Sequence, residues 1–406
     1  MLLSTYGSRG DVEPLAGLAA ELRRLGAEVR VCAPPDGDFE RRLADVGVAL
    51  VPVGVPARVL TRSAPPPSAL PERAAEVIAD QFETVAAAAE GCDVLVATGM
   101  MPAAAGALSV AELLGIRSVS VTFQQLTLPS PDRAPLAYPG HPFPPGATDN
   151  GALWRLDAGI NNELFAAALG TSRTAAGLPP VDDVRGYVTG RRPWLATDPV
   201  LDPWRRAPGF TDPDFDVVQT GAWFVPGIRR LPSELLAFLA AGPPPVYVGF
   251  GSMPVFAAAD VTRAALAAVR AHGRRVVMAR GWADLEALDD RDDCFVVGEV
   301  DQGALFPLTA AVVHHGGAGT TAAATRSGVP QVVLPQAADQ PYWAGRVAEL
   351  GIGVDHGGPV PTADSLSAAL ATALDPVTRA LAEAVAAEIR TDGAAVAARL
   401  LLDTSG

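Results

Sequence analysis

Four short stretches of the chain combine residue types that can do chemistry. The richest is His314-His315-Gly316-Gly317-Ala318-Gly319-Thr320-Thr321, which follows the apolar run Ala311-Val312-Val313 and opens a segment of helical composition. A glycine-rich turn between a strand and a helix presents backbone N–H groups at the positive end of the helix dipole, which favours a phosphate. Glycines let an anionic ligand approach the backbone. His315 can add an imidazole N–H to the same anion, and Thr320 and Thr321 can cap the helix or donate their hydroxyls. The turn lacks Gly-Lys-Ser/Thr, so it is no nucleoside-triphosphatase P-loop, and it is not Gly-x-Gly-x-x-Gly. The competing reading is a structural turn carrying two core histidines.

Gly7-Ser8-Arg9-Gly10-Asp11 makes a second strand-to-helix turn near the start of the chain. Asp11 reads equally as the N-cap of the following helix and as a carboxylate able to take a proton from a hydroxyl. Arg9 can meet an anion or a surface carboxylate. Phe250-Gly251-Ser252-Met253 follows the strand Val246–Gly249 and offers a hydroxyl and amides to a phosphate. Asp339-Gln340 can exchange hydrogen bonds with vicinal sugar hydroxyls, although an N-cap at Asp339 with Pro341 in the first turn is the plainer reading. Asp36-Gly37-Asp38, Asp212-Pro213-Asp214 and Asp214-Phe215-Asp216 lie in turn-like segments. They read as turn formers and not as a metal–diphosphate clamp. The five His show no zinc spacing, so no metal is expected.

The elements that must hold these residues alternate along the chain. Strands are expected at Met1–Thr5, Glu28–Ala33, Val48–Val53, Asp93–Ala97 and Arg117–Thr122. Helices fall between them at Val12–Leu25, Phe39–Val46, Pro71–Glu90 and Pro102–Leu114. A proline-rich stretch, Phe123–Asn150, breaks the rhythm before the helical segment Gly151–Ala176. A second alternation runs from Val246 through strands at Arg275–Ala279, Cys294–Val297, Ala311–His314 and Gln331–Leu334. Its helices are Ala257–His272, Thr320–Ser327, Tyr342–Leu350, Thr362–Leu374 and Pro376–Leu402. Strand–helix alternation gives parallel sheets covered by helices, and such sheets bind ligands at the carboxyl ends of their strands. The fold class is therefore α/β, with two Rossmann-like doubly wound domains in tandem.

Composition bounds the partners. The 406 residues suffice for two domains, and 49% of them are apolar. Net charge is −14, which excludes a nucleic-acid binder and an anionic membrane surface as expected partners. All 31 basic residues are Arg, which carries no function and reads as coding bias. The three Cys make no zinc or disulfide framework. No apolar run is long enough to span a membrane and no signal peptide is visible, so cytoplasm is expected.

Together the motifs resemble those of bacterial natural-product glycosyltransferases. Gly7-Ser8-Arg9-Gly10-Asp11-Val12-Glu13-Pro14 is similar to their opening. The run from His314 to Thr321, then Gly328-Val329-Pro330-Gln331 and Ala338-Asp339-Gln340-Pro341, is similar to their donor signature. The run Ala344–Gly351 points to the glycopeptide-antibiotic group, that of vancomycin and teicoplanin.

That resemblance implies a GT-B fold, with two Rossmann-like domains facing a cleft. Its expected division is residues 1–202 for the acceptor, 203–232 as linker and hinge, 233–385 for the nucleotide-sugar, and 386–406 as a helix returning to the first domain. It implies an inverting, metal-independent transfer with Asp11 as general base. It implies diphosphate contacts from Ser8, Arg9, Gly10, Ser252, His315, Gly316, Gly317, Gly319 and Thr320. Asp339 and Gln340 match contacts to the sugar, and Gly298–Gln302 matches the nucleobase stretch, with Val300 and Gln302 as its binding residues. Plant members stack the base on a Trp where this chain has Glu299, and hold the ribose with a Glu where it has Ala323.

The expected partners are a nucleotide-sugar, UDP-glucose ahead of UDP-N-acetylglucosamine and a dTDP-deoxysugar, and a heptapeptide aglycone; the enzyme is expected to be a monomer without a cofactor. Leu126, Leu128, Leu136, Tyr138 and Phe143, with the segment Gly54–Leu70, are the candidate acceptor surface, against the alternative of a surface loop with its own small core. Rival readings are a macrolide or sterol glycosyltransferase, a nucleotide-sugar epimerase, and a non-catalytic nucleotide-sugar-binding partner.

Overall fold

The computed structural model describes residues 1–62, 66–206, 215–227, 230–252, 258–282, 285, 289 and 291–403. Met253, Asp212 and Asp214, part of the expected linker and part of the segment 54–70 lie outside them. The chain divides into two compact units. One comprises Met1–Thr197, Pro203–Val225 and Asp392–Gly406, the other Asp198–Asp202 and Pro226–Thr391. The stretch read as a linker is therefore shared between the units, and Asp198–Asp202 groups with the second.

In the first unit, β1 (Leu2–Tyr6), α1 (Arg9–Arg24), β2 (Arg30–Ala33), α2 (Gly37–Asp45), β3 (Leu50–Pro52) and α3 (Ala57–Arg62) come first. The expected helix over 71–90 is α4 (Leu70–Asp80), a π-helical turn at Gln81–Val85 and α5 (Ala86–Ala89). Then follow β4 (Val94–Gly99), α6 (Met101–Leu114), β5 (Arg117–Thr122), α7 (Asn150–Ala175), α8 (Val184–Thr189), β6 (Trp194–Leu195) and β7 (Val218–Gln219). All strand pairs are parallel, in the order β3-β2-β1-β4-β5-β6-β7. One core cluster lies between this sheet and α4, α6 and α7, and α1 buries Leu15, Leu18 and Leu22 as well. Helix α6 is buried from Pro102 to Ala111, because its Ala and Gly residues bring it close to its neighbours on every side. Leu126 and Leu128 are buried and Tyr138 and Phe143 pack against the core. The proline-rich loop thus turns Leu126 and Leu128 inward and leaves Leu136, Tyr138 and Phe143 partly exposed.

The second unit holds α9 (Ser233–Ala240), β8 (Val246–Gly249), α10 (Ala258–Ala271), β9 (Val276–Ala279), β10 (Cys294–Val297), α11 (Gln302–Leu305), β11 (Ala311–His314), α12 (Ala318–Arg326) and β12 (Gln331–Val333). It continues with α13 (Gln340–Glu349), β13 (Gly353–Asp355), α14 (Ala363–Ala373) and α15 (Pro376–Glu388). Its sheet is also parallel, ordered β10-β9-β8-β11-β12-β13. The last expected helix stops at Glu388, and α16 (Gly393–Leu402) packs on α1 in the first unit. Gly393 has the Ala222 carbonyl 2.5 Å from where a Cβ would stand, so a larger residue would push this helix out.

Candidate active site

Strand order reverses beside β1 in one sheet and beside β8 in the other. Open parallel sheets bind ligands at the carboxyl ends of the strands flanking such a point. The turn Gly7–Asp11 follows β1, the turn Phe250–Ser252 follows β8 and the turn His314–Gly317 follows β11. Three of the four chemical motifs thus sit where each sheet offers a binding site.

In the first unit Ser8 is the N-cap of α1, and its Oγ accepts from the Gly10 N–H at 3.3 Å. The Asp11 carboxylate accepts from the Ser8 N–H at 2.8 Å, which makes a capping box. Asp11 is therefore the N3 residue, not the N-cap expected as its alternative role. A Cβ on Gly7 would stand 2.2 Å from Asp11 Oδ2, so only glycine leaves room for the folded-back carboxylate. Arg9 lies 3.6 Å from Asp38, which also pairs with Arg41 and Arg58. Asp36 accepts from the N–H groups of Ala57 and Arg58 at the start of α3. The Asp36-Gly37-Asp38 segment is committed to these groups.

In the second unit the histidine–glycine turn packs against the turn after β8 and against the start of α13. Gly316 has φ +87°, and Gly317 is the N-cap of α12. Gly317 brings no capping side chain. The first-turn N–H groups of a helix have no intrahelical acceptor, so those of Ala318, Gly319 and Thr320 are open to an anion. Thr321 is buried and its hydroxyl donates back to the Gly317 carbonyl at 2.9 Å, so it serves the helix and not a ligand. The Gly316 N–H donates to His314 Nδ1 at 3.1 Å, so Gly316 acts through its backbone conformation.

The His315 imidazole lies between two glycine turns. A Cβ on Gly317 would stand 2.5 Å from His315 Nε2, and one on Gly251 3.1 Å from its Cε1. Its Nδ1 is buried without a hydrogen-bond partner. Burial lowers its pKa to about 4, so the ring is neutral at pH 7 and carries one N–H. Gly281, a residue outside the four motifs, supports this arrangement: its Cβ would meet the Gly251 carbonyl at 2.6 Å, and the next residue, Trp282, donates its N–H to the same carbonyl. A glycine closing the apolar strand β9 was the available signal.

Asp339 precedes α13 but its carboxylate caps nothing. It accepts instead from Trp343 Nε1 at 2.6 Å. Burial raises its pKa, and the Trp343 bond opposes the rise. Gln340 Oε1 accepts from the N–H groups of Gln336 and Ala337, at 2.7 and 3.2 Å. That clamp holds a tight turn in which Ala338 has φ +54°. The Gln340 amide NH₂ is left as its donating end. A Cβ on Gly316 would stand 3.1 Å from the Gln340 carbonyl, so the histidine–glycine turn and the start of α13 touch. Val300 is half-buried between β10 and α11, and Gln302 is the first residue of α11. They lie at the end of an edge strand, two places from β8.

Among the described residues no three His, Cys, Asp or Glu side chains cluster as metal ligands, and no helix is long and apolar enough to cross a membrane.

Two parallel-sheet domains of this topology, with glycine turns at both switch points, define a GT-B glycosyltransferase. The chain belongs to the family-one glycosyltransferases of the glycopeptide-antibiotic group. A model of the C-terminal domain of erythromycin biosynthesis protein CIII-like proteins matches residues 265–399, and one of a glycosyl transferase 4-like domain matches residues 14–175. The chain is 54% identical over 405 residues to a vancomycin aglycone glucosyltransferase of Amycolatopsis orientalis, covering 99% of this chain and 97% of that one. It is 49% identical over 411 residues to a dTDP-epi-vancosaminyltransferase of the same organism, covering 99% and 97%. The solved structure of the spinosyn forosaminyltransferase SpnP shares the fold, with a TM-score of 0.67, 22% identity and 99% and 98% coverage.

Proposed function

We propose that the enzyme moves glucose from UDP-glucose onto a hydroxyl of a glycopeptide heptapeptide aglycone, with inversion and without a metal or other cofactor. The observation that carries this reading is the 54% identity to the vancomycin aglycone glucosyltransferase. Asp11 takes the proton of the acceptor hydroxyl as the oxygen attacks the anomeric carbon from the face opposite the diphosphate. Charge then grows on the departing diphosphate. The first-turn amides of α12 and the neutral His315 N–H are preorganised donors for it, and the Ser252 hydroxyl is assigned to it on the family resemblance. The Asp339 carboxylate and the Gln340 NH₂ take the sugar hydroxyls, and the Val300–Gln302 segment meets the base. Ser8, Arg9 and Gly10 are assigned to the phosphates on the family resemblance alone.

A second donor is favoured by the 49% identity to the dTDP-epi-vancosaminyltransferase, which supports a dTDP-aminodeoxysugar. Incubation with a glycopeptide aglycone and each donor in turn, followed by mass spectrometry, separates the two. A hexosylated product from UDP-glucose is expected, with a β linkage by NMR and turnover unaffected by EDTA. Product from the dTDP-sugar alone would overturn the donor, and an α linkage would overturn inversion.

A further inference from the structure

The glycine-rich turn ends a chain of polar side chains buried in an otherwise apolar interior. His314 and Gln331 are 0% exposed and Thr325 is 1% exposed. Each is hydrogen-bonded to the next, and each donor is fixed by its neighbour. The Thr325 hydroxyl spends its proton on the Thr321 carbonyl, at 2.8 Å. Its oxygen must then accept from Gln331 Nε2, at 3.0 Å. That turns Gln331 Oε1 toward His314 Nε2, also at 3.0 Å, so Nε2 carries the ring proton. His314 Nδ1 is left as an acceptor, and it receives the Gly316 N–H at 3.1 Å. A backbone carbonyl at one end and a backbone N–H at the other thus dictate one tautomer of one neutral imidazole. Burial agrees, since it lowers the His314 pKa to about 3.

A buried polar chain of this kind is costly unless complete, and when complete it specifies one arrangement. Here the arrangement it specifies is that of Gly316. The turn has little other freedom: a Cβ on Gly316 would meet Val333 Cγ1 at 2.7 Å and the Gln340 carbonyl at 3.1 Å.

We propose that His314 is a positioning residue for donor binding: the Gln331-anchored Nε2–H tautomer presents Nδ1 to the Gly316 N–H and thereby aims the His315–Thr320 turn at the diphosphate. This rests on the reading of that turn as the diphosphate cradle.

Two isosteres divide the role. In His314→Asn the side-chain oxygen falls near Nδ1, keeps the Gly316 bond and gives up Gln331. In His314→Gln the amide nitrogen falls near Nε2, keeps Gln331 and gives up Gly316. UDP affinity by calorimetry and the melting temperature are measured on the full chain for both, with Gly317→Ala as reference. Both isosteres lose thermal stability. His314→Asn binds UDP within about threefold of the parent, while His314→Gln weakens it by about tenfold or more, the factor carried by one net hydrogen bond. Equal UDP affinity in the two isosteres, or a greater loss in His314→Asn, overturns the proposal. If Gly317→Ala binds UDP as the parent does, it is the cradle reading that fails. Should either isostere not fold, the ¹⁵N shifts of histidine-labelled parent protein decide: a His314 ring protonated at Nδ1 overturns the proposal, and one protonated at Nε2 alone supports it.

Discussion

The Ser8 N–H donates to Asp11 Oδ2 at 2.8 Å, so the carboxylate assigned as the base is also half of a capping box. The two roles can be separated by substitution. Asp11→Asn keeps an oxygen for the Ser8 N–H but has no affinity for a proton. Turnover should fall by about 10²–10⁴-fold, the usual worth of a general base. UDP affinity and melting temperature should stay near those of the parent. Asp11→Ala should lose the same rate and in addition about 1 kcal/mol of stability, the worth of a helix cap. Unchanged turnover in Asp11→Asn would remove the base from the mechanism.

Trp343 holds Asp339 by a single N–H, and that bond offsets part of the burial that raises the Asp339 pKa. Trp343 is buried, packed with Leu201 and Ile389 and edge-on to Tyr342. Trp343→Phe keeps most of this packing and removes the donor. The Asp339 pKa should rise further. kcat/KM for the nucleotide-sugar should fall about tenfold at pH 7, as for one lost hydrogen bond to a charged group, with UDP affinity unchanged. The acidic limb of the kcat/KM profile should move to higher pH in the variant, because the carboxylate has lost the bond that opposed its raised pKa. A pH-independent deficit would mean that Trp343 acts through packing alone.

Much of this site was legible because an apolar strand that runs straight into a glycine-rich turn stands out in the chain. The strands β1, β8 and β11, and with them the candidate residues at both switch points, follow from that pattern. What failed to show has physical causes. Helix α1 starts at Arg9 and runs through Pro14, so a reading that begins the helix at Val12 gives Asp11 the wrong cap position. Strands β6 and β7 are two residues each, too short for periodicity. Asp198–Asp202 goes with the second unit because Arg346 donates to the carbonyls of Leu201 and Val200 and Tyr342 to Asp202. Those contacts span about 140 residues of sequence and leave no local trace. His314 and His315 look alike in the chain, but only burial and partners separate a ring bonded at both nitrogens from one with an unpartnered Nδ1.

The two histidines also make stability depend on pH. Burial lowers the pKa of His314 to about 3 and of His315 to about 4, from an ordinary value of 6.5. Between pH 6.5 and 4 the unfolded chain therefore binds more protons at these positions than the folded one. Stability then rises with pH through that window and is lost as pH falls, with a slope approaching that of about two protons near pH 5. His315→Asn should reduce the slope by about one proton. Denaturant midpoints taken from pH 4.5 to 7.5 for parent and variant give the difference free of the carboxylates common to both. No difference in slope would mean that His315 is protonated in the folded protein.

Arg185 and Asp157 form a buried ion pair in the first unit, 8% and 2% exposed. Arg185 also donates to the Thr127 carbonyl at 2.9 Å and stacks on Trp154 at 4.3 Å from the ring centre. Burial raises the Asp157 pKa and lowers that of Arg185, so each charge depends on the other. Arg185→Met would strand the carboxylate and should cost about 3–5 kcal/mol, whereas removing both charges restores most of it. Thr127 lies in the proline-rich loop, so the single variant should also raise KM for the aglycone more than KM for the donor. Chemical denaturation of Arg185→Met and of Arg185→Met with Asp157→Leu tests the pair. If the double variant is no more stable than the single, the cost lies in the lost Trp154 stacking and the lost Thr127 bond, which the second substitution cannot restore.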